Sequence, residues 1–575
     1  MAVSTAPSPV TDRDLASVAE ARALARRAKA AQLLLAEFSQ TQIDAIVDQM
    51  AAAVRPHAEA LARLAVEETG FGVVADKIQK NVFASDRVHA FIKPMKTVGV
   101  VARHDDKRIV EIAEPFGVVA AIVPSTNPTS TAIYKILIAL KARCAIVLSP
   151  HPSATRCITR VAEIMAGAAK GAGAPDGAIG WLTTVTLEGT QELMKQREVS
   201  VILATGGMGL VRAAYSAGKP AYGVGPGNAP CYIEESADLA KAAADIILGK
   251  SFDNGVLCSS PNSVVVDQAV ADQAVHQFQA HGAYFLSPAE ADVLGKVLVT
   301  PQRLPNPALV GKSAAEIAEK VGIRVPPGTR ALIARLQGVG REHPLSIEKL
   351  CPVLSFYVVK DWREGCERCK QILQYGGLGH TMSIHSRNEA VILEFGLHKP
   401  AYRICVNTPT THGSIGLTTG LDPAMTLGCG GFGGNITSDN ISPRHLLNIK
   451  RLAYELRPAV PSTPLGPVRP AEPGIPTAAL GQRIDRYLRD RGFAAPRPSG
   501  SGPAAPASPP TKAAAAPTPP VEKPVSFVCE DDVRQAMRVG RTLLISDQTI
   551  VTPSARDLGE EHAVLRRVAG PASPR

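Results

Sequence analysis

The chain has 575 residues, too long for one compact core, and its length predicts two or three domains plus appendages. Hydrophobic residues make up 45% and charged residues 20%, an ordinary globular balance that excludes wholesale disorder. Lys and Arg number 62 against 52 Asp and Glu, a net charge of +10. No basic run is interleaved with aromatics, so nucleic acid is not an expected partner, whereas an anionic substrate or cofactor suits the charge.

In chain order, the N-terminus MAVSTAPSPVTDRD has no apolar stretch of the secretory kind. Residues 11 to about 66 read as helical, with Thr11 or Asp12 as the N-cap. From residue 114 the pattern becomes strand, loop, helix, repeatedly. GVVAAIVP (117–124) is a continuous apolar run of the kind a buried parallel strand requires, and STAIYKILIALKAR after it is an amphipathic helix. CAIVLSP (144–150) is a second strand, TRCITRVAEIMAGAAKGAG a helix closed by glycines, and VSVILAT (199–205) a further strand leading into GGMGLVRAAYSAG. This alternation predicts an α/β fold with a doubly wound sheet. A second α/β region follows residue 253, with the apolar segments SVVVD, KVLV, VLSFYVV, HTMSIHS and RICVNTP. The stretch 412–440 is too rich in glycine for regular structure and reads as a functional or interface surface. Apolar runs all fall far short of the roughly 20 residues of a membrane span, so no membrane partner is expected and the location is cytoplasmic.

The composition breaks after residue 457: 17 of the 46 prolines lie between 457 and 525, which predicts a disordered, Pro/Ala-rich extension. Two islands stand in it. Residues 477–493 place Leu480, Ile484, Tyr487 and Leu488 on one helical face. Residues 527–568 read as helix, strand, proline, helix, a module marginal in size. The 10 cysteines are scattered, as reduced thiols are, and the close pair Cys366 and Cys369 reads as part of a helix, so no metal site is expected.

Three segments carry chemistry: SFDNGVLCSS (251–260), VPSTNPTS (123–130) and the glycine turn ATGGMG (204–209). Alone, each has an ordinary reading as a buried cysteine, a turn before proline or a tight connection. In this order and spacing they resemble the aldehyde dehydrogenase superfamily, and within it the CoA-acylating branch of acetaldehyde and sulfoacetaldehyde dehydrogenases. The similarity runs from about residue 15 to 455 and includes EPFGVVAAIVPSTNPTSTA, KPAYGVGPGNAP, EKLCPVLSFY, GLGHTMSIHS and TLGCGGFGGN.

That resemblance implies two doubly wound Rossmann-type domains plus an oligomerisation element. N-terminal helices and an NAD-binding domain would occupy 1–250, a catalytic cysteine domain 251–430 and a return and oligomerisation segment 431–456. A Pro-rich linker (457–526) would lead to a targeting module (527–568). The resemblance also implies that Cys258 is the nucleophile and that the Asn127 amide and the Cys258 N–H hold the oxyanion. It puts Thr126, Ser149, His151, Gly206, Gly207 and Glu348 at the cofactor. NAD is favoured over NADP, and coenzyme A is the co-substrate. Hydrolytic members carry a glutamate base ahead of the cysteine; the matching stretch YGVGPGN (222–228) has no carboxylate, which implies release of the thioester to coenzyme A rather than water. His380 is characteristic of the branch, with no role assigned.

The tethered helix and end module resemble tails of bacterial microcompartment enzymes. They imply shell proteins as partners and a location inside such a compartment; relatives imply a dimer or tetramer. Two rival readings are a hydrolytic dehydrogenase giving free acid and a scaffold with an inactive dehydrogenase fold.

Overall fold

The structure is a computed structural model that describes residues 12–459, 476–491, 525, 527–546 and 549–567. Thr11 and most of the Pro-rich linker lie outside the described residues. Asp12 caps the first helix, Arg13–Leu35, accepting from the Asp14 and Leu15 amides at 2.9 and 3.2 Å. Gln40–Val54 starts on a capping box between Ser39 and Gln42.

Five parallel strands form the first sheet. Their order is Ile179–Trp181, Ala145–Pro150, Val118–Val123, Val199–Thr205, Ala221–Val224. The central strands are buried along their whole length, which is why they read as unbroken apolar runs. From Val118–Val123 the chain winds outward in one direction, then returns to Val199–Thr205 on the other side. The order of winding therefore reverses between those two strands, and a crevice opens at their carboxyl ends. Lys135, on the buried helix Pro128–Lys141, spans this reversal: its Nζ donates to the carbonyls of Ile122 (2.7 Å) and Leu203 (2.9 Å).

The second sheet has seven parallel strands, in the order Ala283–Phe285, Ala331–Arg335, Val353–Val359, Pro261–Asp267, Ala229–Ile233, Gly379–His385, Ala401–Val406. Ala229–Ile233, within the span assigned by sequence to the nucleotide domain, pairs in this second sheet with Pro261–Asp267 and Gly379–His385. KVLV is not a strand; its first three residues end the helix Pro288–Leu298. Cys366 and Cys369 lie buried on the helix Trp362–Tyr375. The glycine-rich stretch is largely irregular, with a short helix at Thr410–Ser414 and a tight turn at Gly431–Gly433. A three-stranded antiparallel sheet joins Gly99–His104, Ile109–Pro115 and Leu447–Ala453.

The chain divides into two units, 1–460 and 461–575. In the second, Thr477–Asp490 is a helix whose Leu480, Ile484, Tyr487 and Leu488 are 40 to 56% exposed. The end module pairs Phe527–Val528 with Ile550–Val551 and Leu543–Ile545 with Leu565–Arg567, both in parallel. Val528, Val533, Ala536, Ile545, Ala555 and Val564 form its core. Among the described residues no helix is long and apolar enough to cross a membrane.

Candidate active site

The loop that carries Cys258 runs from the helix Leu239–Ser251 to the strand Pro261–Asp267 through a tight turn, Phe252–Gly255. Asp253 and Asn254 take left-handed conformations there (φ 49° and 53°), which Asp and Asn tolerate better than other side chains. The turn is held from outside. The buried Asp253 carboxylate accepts from the Val73 N–H (2.7 Å), from Lys77 Nζ (3.0 Å) and from Lys80 Nζ, and its own N–H donates to Asp76 Oδ2 (2.7 Å). Both lysines lie on the helix Val74–Val82. Asn254 Nδ2 donates to the Gly311 carbonyl at 2.9 Å.

A cleft of about 460 Å³ opens at the crevice of the first sheet, and all eight residues singled out in the sequence line it. Cys258 and Asn127 stand in it together, with Thr126 beside Asn127 and Glu348 from the second sheet's side. Cys258 keeps partial exposure, and burial, then the nearness of Glu348 and Cys429, push its thiol up to about 12 against the pull of Arg403. The free thiol is therefore protonated at rest.

Asn127 is the N-cap residue of Pro128–Lys141, yet its side chain caps no helix N–H. Its Oδ1 accepts from Lys80 Nζ at 2.6 Å, and its Nδ2 donates to Thr126 Oγ1 at 3.2 Å. The Thr126 carbonyl accepts from Lys77 Nζ at 3.1 Å. Sequence reasoning missed Lys77, Lys80 and Asp253. Nothing in ADKIQKN announces a buried charge cluster whose anion lies more than 170 residues away.

Val224, Gly225 and Pro226, from the stretch without a carboxylate, form one wall. Gly227 follows, and it has no room for a side chain: a Cβ there would sit 2.1 Å from the Cys258 carbonyl oxygen and 3.2 Å from the His380 ring. Glu348 is the carboxyl group that does line the cleft. It accepts from the Gly227 N–H at 3.0 Å, and burial pushes it up to about 8, so it is mostly protonated at neutral pH. His380 is buried behind Gly227, with Nδ1 paired to Thr381 Oγ1 at 3.0 Å. Burial and the nearby Arg403 hold it down at about 3, so its ring is neutral.

At the far end, Gly207 caps the helix Met208–Tyr215 without any side-chain hydrogen bond, so its first N–H groups lack a side-chain cap. Gly206 precedes it in the lining. Ser149 is buried with its hydroxyl paired to Thr190 Oγ1 at 2.8 Å. His151 Nδ1 is engaged by its own loop, with Ser153 Oγ at 2.8 Å and the Ser153 N–H at 3.2 Å. Among the described residues no group of three or more His, Cys, Asp or Glu is placed to hold a metal ion.

The model of the aldehyde dehydrogenase family matches residues 5–293. The succinate-semialdehyde dehydrogenase (acetylating) of Clostridium kluyveri is 37% identical over 431 residues, 75% of this chain and 95% of that protein. The chain belongs to the aldehyde dehydrogenase family. The bifunctional aldehyde-alcohol dehydrogenase AdhE of Escherichia coli (strain K12) is 43% identical over 442 residues. That match takes in 76% of this chain but 50% of AdhE, so the chain spans about half the length of such curated relatives. Among solved structures, an acetylating aldehyde dehydrogenase from Geobacillus thermoglucosidasius is similar at 50% identity and a TM-score of 0.77, covering 79% of this chain and 100% of that one. A propionaldehyde dehydrogenase from the fucose utilisation bacterial microcompartment of Clostridium phytofermentans is 29% identical with a TM-score of 0.68, covering 75% and 96%. The resemblance to the acylating branch and the two-sheet α/β architecture of the chain thus stand together.

Proposed function

We propose that this aldehyde dehydrogenase oxidises a small aldehyde to its acyl-CoA with NAD and coenzyme A, through a thioester on Cys258. The observation that carries the reading is the cleft itself. It joins a cysteine to an amide donor, the wall formed by Val224, Gly225 and Pro226 carries no carboxylate, and burial keeps the lining Glu348 mostly protonated at neutral pH. Once the Cys258 thiol has lost its proton to water, the thiolate adds to the aldehyde carbon, and the oxygen that gains the charge is met by the Asn127 amide and the Cys258 N–H. After oxidation the carbonyl carbon stays on sulfur. A protonated Glu348 activates water poorly, so the thioester persists until the coenzyme A thiol attacks.

The cleft suits a dinucleotide: the helix opening at Gly207 suits a pyrophosphate, and Val185, Leu187 and Leu210 offer apolar walls to a base. Bound there, NAD supplies the hydride acceptor. Among the described residues no Lys or Arg lines the cleft, which favours NAD over NADP, whose extra phosphate seeks a cation. Incubation with aldehyde and NAD, with and without coenzyme A, tests the reading. Acyl-CoA formed only when coenzyme A is present is the expected result; free acid at an equal rate without it would establish the hydrolytic alternative.

The same reading assigns a homo-oligomer and a place in a bacterial microcompartment. The first is supported by apolar residues exposed on the three-stranded sheet (Val100, Leu452, Tyr454) and on the edge strand Ala401–Val406 (Tyr402, Val406). The second is supported by the exposed apolar face of Thr477–Asp490, which suits a groove on a shell protein, and by the microcompartment origin of one similar structure.

A further inference from the structure

We infer that Lys80 is a positioning residue that sets the orientation and donor strength of the Asn127 amide at the oxyanion site. The inference rests on the reading of Cys258 and Asn127 given above. Asn127 occupies a position where its side chain would ordinarily cap a helix, and it does not do so. Lys80 Nζ instead holds Oδ1 at 2.6 Å. An ammonium group can only donate, so the atom facing it must be the amide oxygen. Nδ2 is therefore turned away from Lys80. One of its hydrogens goes to Thr126 Oγ1, and the other is left for the cleft that Cys258 shares.

The charge matters beyond orientation. A cation on the oxygen of a buried amide draws electron density from its nitrogen and makes the N–H a stronger donor to a developing oxyanion. Lys80 keeps that charge in the interior because Asp253 neutralises it. Asp253 also sits five residues before Cys258 and anchors the nucleophile turn. One carboxylate thus fixes the donor and the nucleophile relative to each other. Lys77, its second cation, touches the Thr126 backbone and not the Asn127 side chain, so Asp253 keeps a partner when Lys80 is replaced.

The test is a double-mutant cycle on the full chain with Lys80→Met, Asn127→Ala and both together. Acylation of Cys258 by p-nitrophenyl acetate is followed as a burst of p-nitrophenolate. The thiolate sulfur bonds to the acetyl carbon, the carbon–oxygen bond to the aryl group breaks, and the nitrophenolate leaves with the electron pair. Neither NAD nor coenzyme A takes part. Lys80→Met is expected to slow acylation at least about tenfold with an unchanged KM for the ester, and Asn127→Ala about 100-fold. The double variant should be no slower than Asn127→Ala alone, because the lysine acts only through the amide. Lys80→Arg, which keeps the charge and the donor, should recover most of the rate.

Penalties that multiply in the double variant would overturn the inference, as would a wild-type burst in Lys80→Met. So would the lack of any burst dependent on Cys258, or a chain that folds with neither substitution at position 80. A normal burst in a wild-type protein that forms no acyl-CoA would instead defeat the acyl-CoA reading and leave the role of Lys80 intact.

Discussion

Gly227, next to the cleft wall, leaves no room for a side chain, since an added methyl carbon would collide with the carbonyl of Cys258. A Gly227→Ala variant is expected to fold and to lose activity on the order of 100-fold, because the cysteine must shift by a large fraction of an ångström. Single-turnover NADH formation alongside a circular dichroism spectrum checks it. Glu348 supports a second expectation. Burial raises this carboxyl to about 8, so the protonated form persists through neutral pH and the basic form appears only as pH rises past that value. Discharge of the thioester to free acid without coenzyme A should therefore increase between about pH 7 and 9, and Glu348→Gln should abolish the increase. At this scale the family motifs pointed to eight residues that the fold brings to one cleft. What they did not reveal is local pairing. Ser149 gives its hydroxyl to Thr190, and His151 is engaged by Ser153. The Lys80–Asp253 contact depends on how distant segments meet, which no local pattern encodes.

The elements were legible where one force dominates. The strands 118–123 and 145–150 announce themselves because both faces are buried, whereas the helix 128–141, expected to be amphipathic, is buried on every face. Ala229–Ile233, not singled out in the sequence, lies within the span 1–250 but pairs in the second sheet: a short buried strand looks alike in either sheet, and only its pairing assigns it. KVLV looked like a strand by composition, but helix Pro288–Leu298 buries Leu294 and Leu298 on one face. Lys135 ties a helix to two strands at the point where winding reverses. Lys135→Met leaves two buried carbonyls without that donor and is expected to cost about 1–3 kcal/mol, read from the urea midpoint. In the second unit, aspartate at Leu480, Ile484 and Leu488 should leave turnover unchanged and abolish co-purification with co-expressed shell proteins.

At the scale of the molecule, the break in composition after residue 457 coincides closely with the division into two units at 460. The cleft and both large sheets belong wholly to the first unit. Removal of residues 457–575 is therefore expected to preserve turnover and the main thermal transition while shell association is lost; activity assays, calorimetry and co-purification decide it. Loss of turnover on truncation would give the tail a part in the chemistry. Light scattering of the truncated and full chains should give the same number of subunits, because the exposed strand faces proposed for assembly lie in the first unit.

The chain crosses from the first sheet to the second through residues 225–228, and that crossing is also a wall of the cleft. This short strut runs so close to Cys258 that an added Cβ at Gly227 would meet its carbonyl oxygen at 2.1 Å. A displacement of the strut would therefore also displace the cysteine.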